Sequence, residues 1–299
     1  MKVADYIEKQ AKLMRGECGR VRKESVDGIH DMRVSSRRLR VALREARTLI
    51  EPRLHGQLQE ALATVTEALG HARELDVMTL MMEEYVKDAY GPWKLAAEHA
   101  LCEIRAVRKE ARHGCAEAVR AVDTAEFDAL VRAALDQLRK KKRDDLTEIG
   151  EGLVRRLREV RRAYRDWRES EEAEDLHRVR IALKKLRYAL EFYIPAYDKN
   201  LPQLIDEIKA AQEMLGDWHD ADVLCDALER IEKHAPYREV QGFPLIIEAF
   251  HTFGETRTAE FQDWARAFFS KARREEVVAY ILGTWPVGNS RTGKHTGAT

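Results

Sequence analysis

The sequence predicts an all-α protein on three observations. Apolar residues recur at three- and four-residue spacing along almost the whole chain. No run of alternating β-branched residues bounded by turns occurs. Helix breakers are scarce, with 16 Gly and 7 Pro in 299 residues, so the periodic stretches are long. A chain of this length can bury a sizeable core, and 35% charged with 44% apolar residues excludes collagen-like, low-complexity and wholly disordered classes.

The breakers set the elements in order. Pro52 closes a first segment that carries the helix from Ile29, Gly91-Pro92 closes the second, and Gly114 is expected to divide the third. The acidic stretch Glu169 to Asp175 separates the next helix from one starting near Leu176. Pro195 to Pro202, then Pro236 with Gly242 to Pro244, bound the last long helices, and Gly283 to Pro286 end them. Helices of about 15 to 30 residues result, the length used in bundles. The final residues 286–299, PVGNSRTGKHTGAT, lack apolar periodicity and read as a disordered tail.

Fifty-two basic residues balance fifty-two acidic ones, so any anion site must come from clustering. Cys18, Cys102, Cys115 and Cys225 form no disulfide framework or zinc-finger spacing, and reduced thiols are expected. The N-terminus MKVADYIEKQ has no apolar h-region, and no apolar stretch is long enough to span a membrane, so a cytoplasmic protein is expected.

Laid on itself with a shift of 147 residues, the chain repeats. IHDMRVSSRRLRVALREA from Ile29 lies over LHRVRIALKKLRYALEFY from Leu176, which sets His30 on His177, Arg33 on Arg180, Arg37 on Lys184, Arg38 on Lys185 and Arg40 on Arg187. With the shift at 146, LGHARELDV from Leu69 lies over LGDWHDADV from Leu215, with Arg73 on His219 and Asp76 on Asp222. Two helical-bundle repeats are therefore expected, over residues 1–143 and 144–285.

On one helix His30, Arg33, Arg37, Arg40 and Arg44 fall within an arc of about 80°. Met32, Leu39, Leu43, Ala46 and Ile50 occupy one neighbouring arc, and Val34 and Val41 the other. His177, Arg180, Lys184 and Arg187 repeat the row between Val179, Leu186 and Leu190 on one side and Ile181 and Tyr188 on the other. A row of cations bordered by apolar surface on both edges is not an ordinary solvated face, and neighbouring cations repel. Two explanations stand: carboxylates from other helices neutralise the row, or an external anion does. Only Glu191 shares the arc, which favours the anion. Phosphates suit guanidinium forks and ammonium groups. A stripe of about 16 Å exceeds one phosphate and indicates a chain of them. If the two helices are related by a pseudo-twofold axis, their rows join into one track.

Two further rows are secondary. Arg155, Arg158, Arg162 and Arg165 either line a groove or join ion pairs within the bundle, whereas Arg105, Arg108 and Arg112 are expected to be neutralised by nearby Glu103 and Glu110. His30 and His177 open the stripes and can donate to an anion. Asp76 and Asp222 are expected to orient arginines rather than to catalyse.

HDMRVSSRRLR and HRVRIALKKLRYALEFY in tandem, with the two Leu-Gly helices, resemble the CHAD family, the conserved histidine α-helical domain, from about residue 3 to about residue 282. The resemblance implies two four-helix bundles around a basic groove or pore that binds inorganic polyphosphate. It implies His30, Arg33, Arg37, Arg40, His177, Arg180, Lys184 and Arg187 as contacts, with Arg73 beside them. Glu74 departs from the family's usual Asp, and Lys184-Lys185 replaces an arginine-rich pair. Such modules are often fused to a β-tunnel triphosphatase with an ExExK signature; this chain carries neither strands nor the signature, which implies a freestanding, non-enzymatic module without cofactor or metal.

Polyphosphate binding, with association to polyphosphate bodies and a protein partner there, is the leading expectation. Binding to the RNA or single-stranded DNA backbone is the alternative, although Tyr188 is the only aromatic beside the stripes. A metal-dependent phosphohydrolase role is a third; neither GxxxxGK[ST] nor HExxH nor paired ExxH motifs occur.

Overall fold

A computed structural model describes residues 3–140, 146–193, 202–236 and 241–282. Every regular element among them is helical: α1 (Val3–Gly16), α2 (Cys18–Arg22), α3 (Val26–Glu45), α4 (Pro52–Asp88), α5 (Gly91–Ala118), α6 (Ala125–Lys140), α7 (Leu146–Ser170), α8 (Ala173–Tyr193), α9 (Pro202–Glu232), α10 (Phe243–Phe268) and α11 (Lys271–Leu282). The expected boundary at 143/144 and the tail from residue 286 lie outside the described residues.

Local chemistry explains several of the helix ends. The Ser25 hydroxyl accepts from the Gly28 amide at 3.3 Å to cap α3. The Glu51 carboxylate accepts from the amides of Arg53 and Leu54 at 2.9 and 2.8 Å, with Pro52 in the first turn of α4. Those backbone bonds hold the Glu51 carboxyl below its usual range. Gly114 differs from expectation: α5 runs through it, because a lone glycine costs a helix only about 1 kcal/mol and does not stop it. The break comes at the 3-10 turn Val119–Ala121, and Thr124 caps the next helix, accepting from the Phe127 amide at 3.0 Å. A turn between α2 and α3 was not expected; Glu24 takes a left-handed φ of 56° there.

Three cores result. The first joins Ile7 and Met14 of α1, Ile29, Met32 and Leu39 of α3, Leu58 and Leu62 of α4 and Phe127 of α6. The second joins Leu153 and Val160 of α7, Leu176, Val179 and Leu183 of α8, Ile208 of α9, Phe261 of α10 and Ile281 of α11. The third draws on both halves of the sequence: Met78 and Met82 of α4, Ala96 and Ile104 of α5, Leu224 and Leu228 of α9, and Phe243 and Ile246 of α10. Helix α4, 37 residues and about 55 Å long, serves the first and third cores, and α9 serves the second and third. The hairpins α4–α5 and α9–α10 meet closely at Gly242, where an added Cβ would lie 2.5 Å from the Pro92 carbonyl oxygen and 2.6 Å from Ala96 Cβ. These long hairpins hold α3 and α8 side by side.

Candidate anion-binding site

Because Ile29, Met32, Leu39 and Leu43 commit one face of α3 to the first core, Arg33, Arg37 and Arg40 fall half-buried at its edge. On α8, Leu176, Val179, Leu183 and Leu186 face the second core and leave His177, Arg180, Lys184 and Arg187 half-buried in the same way. The seam between the helices is pinned by residues largely outside the rows. Arg38 Nε donates to Glu191 Oε2 at 2.9 Å, the Tyr193 hydroxyl donates to Glu45 at 3.2 Å, and Arg156 of α7 pairs with Glu45.

The two cationic rows face each other. Arg37 and Arg33 of α3 both act electrostatically on Lys184 of α8, and Arg37 also acts on Arg180 and Tyr188. Arg73 of α4 joins them by acting on Arg33. Among the described residues no carboxylate lies within 4.0 Å of Arg33, Arg37, Arg40, Arg44, Arg73, Arg180 or Lys184; Arg187 alone of the rows has one, Glu191 at 3.6 Å. The Nε atoms of Arg33, Arg40, Arg180 and Arg187 are buried without a hydrogen-bond partner. Donors that folding leaves unused in this way can serve a ligand.

The crowding is visible in the acidities. Burial, then the charges of Arg37 and Arg73, lowers Arg33 to about 10. Burial, followed by Arg180, Arg37 and Arg33, lowers Lys184 to about 6, so its amine is mostly neutral at pH 7. Burial also lowers Arg180 and Arg40. Tyr188 reports the field with the opposite sign: burial raises its pKa, but Arg37 and Arg187, both within hydrogen-bonding reach of the hydroxyl, lower it by more. The Arg187 guanidinium also sits over the Tyr188 ring at 4.8 Å.

Two residues of α9 complete the site, and neither was anticipated. His219 lies 5.1 Å from His177 ring to ring, and burial with Arg180, His177 and Lys184 brings it to about 3. The Asp220 carboxyl is raised by burial and opposed by Arg180 and Lys184, making it the acidic group most embedded in the cluster. The signal was present, since the repeat laid His219 over Arg73.

Other expected residues fall elsewhere. His30 is exposed and acts on none of the perturbed cations, and Arg44 is exposed at the far end of its row. Arg105, Arg108 and Arg112 are paired within the α4–α5 hairpin. Arg105 pairs with Glu83 at 2.7 Å, and Arg108 and Arg112 each reach the buried Asp76 Oδ1 at 2.6 Å. Their carboxylates come from α4 rather than from Glu103 and Glu110. Asp76 thus orients two arginines, whereas Asp222 has Asp226, His251 and His177 as its charged neighbours and no arginine among them. Arg155, Arg158, Arg162 and Arg165 are exposed on α7, and no α7 residue figures among the groups that shift the central cations.

Among the described residues no group of three or more His, Cys, Asp or Glu is placed to hold a metal ion, and no helix is long and apolar enough to cross a membrane.

A family model described as CHAD domain matches residues 5–229. Among solved structures, the chain is similar to the crystal structure of the CHAD domain from the plant Ricinus communis. That match has 20% sequence identity and a TM-score of 0.61, and covers 95% of this chain and 92% of that one. It is also similar to PptA from Streptomyces chartreusis, with 16% identity, a TM-score of 0.59, and coverage of 88% of this chain and 98% of that one. At these identities the structural likeness concerns the fold. Among curated proteins none matches.

Proposed function

The chain belongs to the CHAD domain family, and from that premise we propose that it binds inorganic polyphosphate between α3 and α8 without transforming it. The family is linked to polyphosphate binding in general. The observation that carries the reading here is the pair of facing, half-buried cationic rows with no carboxylate within 4.0 Å of most of their members. A phosphate chain supplies charge and acceptors along its whole length, so it can serve Arg33, Arg37, Arg40 and Arg73 from one side and Arg180, Lys184 and Arg187 from the other. His177 and His219, neutral at pH 7, add ring N–H donors. The site offers a surplus of donors for an anion, which Asp220 and Glu74, the carboxylates that act on Arg180, offset only in part.

RNA would present the same phosphates but also bases. Tyr188, the aromatic beside the rows, is buried beneath Arg187 and presents no open ring to stack on, which favours the simpler polyanion. In the cell such a module would bring itself, or a protein attached to it, to polyphosphate granules in the cytoplasm.

The test is retention on immobilised polyphosphate at physiological salt. Wild type should be retained, RNA should compete poorly, and rising salt should release the protein as condensed counterions return to the chain. Substituting Arg33, Arg37, Arg180 and Lys184 together with Glu should abolish retention. Unchanged retention by that variant would overturn the site, and phosphate release with Mg²⁺ by purified protein would overturn the non-enzymatic reading.

A further inference from the structure

A second cationic surface lies on α7, and polyphosphate binding at the seam does not account for it. Two clefts follow each other along α7 where it packs against α11, with volumes of about 390 and 450 Å³; Arg158, Arg161 and Phe269 line both. Beyond that shared wall they differ. The first adds the apolar Leu157, Val278 and Ala279, with Arg274 and Glu275 also lining it. The second is lined by Arg162, Arg165 and Arg168 beside Tyr164. The Phe269 ring is set in place by stacking on Tyr164, centroids 5.4 Å apart at 24°, and Tyr164 meets Phe261 edge-on at 6.1 Å.

Folding does not explain the arginines. Arg162 and Arg165 have only loose partners in Asp166 and Glu169, at 3.3 to 3.9 Å on exposed surface, where such pairs contribute little. Among the described residues Arg158, Arg161, Arg168 and Arg274 have no carboxylate within 4.0 Å. Cations at three- and four-residue spacing repel, and here they repel beside the apolar groups Leu157, Val278 and Ala279.

The geometry points to a nucleotide site in which the base of a nucleoside triphosphate enters the first cleft against Phe269 and its phosphates run along Arg161, Arg165 and Arg168. A bare phosphate chain would match the arginines and leave the apolar wall of the first cleft, Leu157, Val278 and Ala279, without a partner. An acidic amphipathic helix would need apolar partners all along α7, whereas Leu157, Val278 and Ala279 lie at the first cleft alone. Glu275, which lines the first cleft, supplies an acceptor for an exocyclic amine of the base. Arg158 to Arg168 spans about 15 Å, comparable with an extended nucleoside triphosphate. Guanidinium forks suit its phosphates.

The experiment titrates the full chain with ATP, adenosine and tripolyphosphate by calorimetry. Three proteins are compared: wild type, R161E/R168E on α7, and R37E/K184E at the seam. ATP should bind wild type; R161E/R168E should lose at least tenfold in ATP affinity while keeping tripolyphosphate binding at the seam; and R37E/K184E should keep ATP. Phe269→Ala should weaken ATP and leave tripolyphosphate unchanged, and Phe269→Leu provides the same reading should the alanine variant fail to fold. ATP affinity unchanged in R161E/R168E, or lost in R37E/K184E, would overturn the inference, as would ATP binding no more tightly than tripolyphosphate in R37E/K184E. Tighter binding of an acidic helical peptide than of ATP at the α7 clefts would overturn it as well. Failure of polyphosphate binding at the seam would leave the ATP arms intact, so the two readings fail separately.

Discussion

Replacing Lys184 by Met keeps the length of the side chain and removes the amine from a site where Arg180, Arg37 and Arg33 already crowd it. An unfolded chain holds that lysine near its ordinary 10.5, and the fold holds it at about 6. Between those values the unfolded state carries the proton and the folded state does not, so wild-type stability falls as pH drops from about 10.5 and reaches its minimum contribution below about 6. At pH 7 the penalty is on the order of 3–5 kcal/mol, the lower figure allowing for the side chain's residual contact with water. Urea denaturation of both proteins from pH 6 to 10 reads it directly. Lys184→Met should be the more stable at pH 6 and 7 by roughly that amount, with the gap closing as pH rises toward 10. The same variant should bind phosphate chains less well, stability gained where function is lost. A variant less stable than wild type at pH 6, or a gap that does not change with pH, would refute the crowded-cation account.

Further outcomes rest on other contacts. A bound polyanion favours the protonated amine, so tripolyphosphate affinity should rise as pH falls from 8 to 6, by up to about tenfold per pH unit, and Lys184→Arg should flatten the slope in calorimetric titrations. His219, already at about 3, contributes nothing to that window. Asp76→Asn leaves Arg108 and Arg112 beside a buried neutral amide and should cost roughly 3 kcal/mol in urea denaturation. Tyr188→Phe removes the hydroxyl within reach of Arg37 and Arg187, and should weaken tripolyphosphate binding by about 1 kcal/mol without unfolding the chain. Gly242→Ala forces a Cβ against the Pro92 carbonyl and should lower stability by roughly 1–3 kcal/mol, seen as a shifted thermal midpoint.

What the sequence disclosed is what periodicity carries. The α-helical class and both basic rows arise from three- and four-residue spacing, and Met32, Leu39, Leu43, Ala46 and Ile50 are all buried, as their arc required. What it hid depends on contacts between distant segments. Arg108 and Arg112 looked toward carboxylates on their own helix, but the one that holds them, Asp76, is more than thirty residues away. His219 and Asp220 enter the site only because α9 passes beside α8. His30 and His177 occupy matching places in the sequence repeat, yet one is exposed and the other lies against His219. Spacing along one helix cannot reveal what covers its face. The missed turn at Glu24 and the helix through Gly114 show the weakness of single residues as boundary signals.

Diffraction from crystals grown with tripolyphosphate would locate the bound anion. Phosphate density is expected between α3 and α8, with oxygens at hydrogen-bonding distance from Arg37, Arg180 and Lys184. Phosphate density confined to outer surfaces, with that seam occupied only by water at saturating ligand, would contradict binding there.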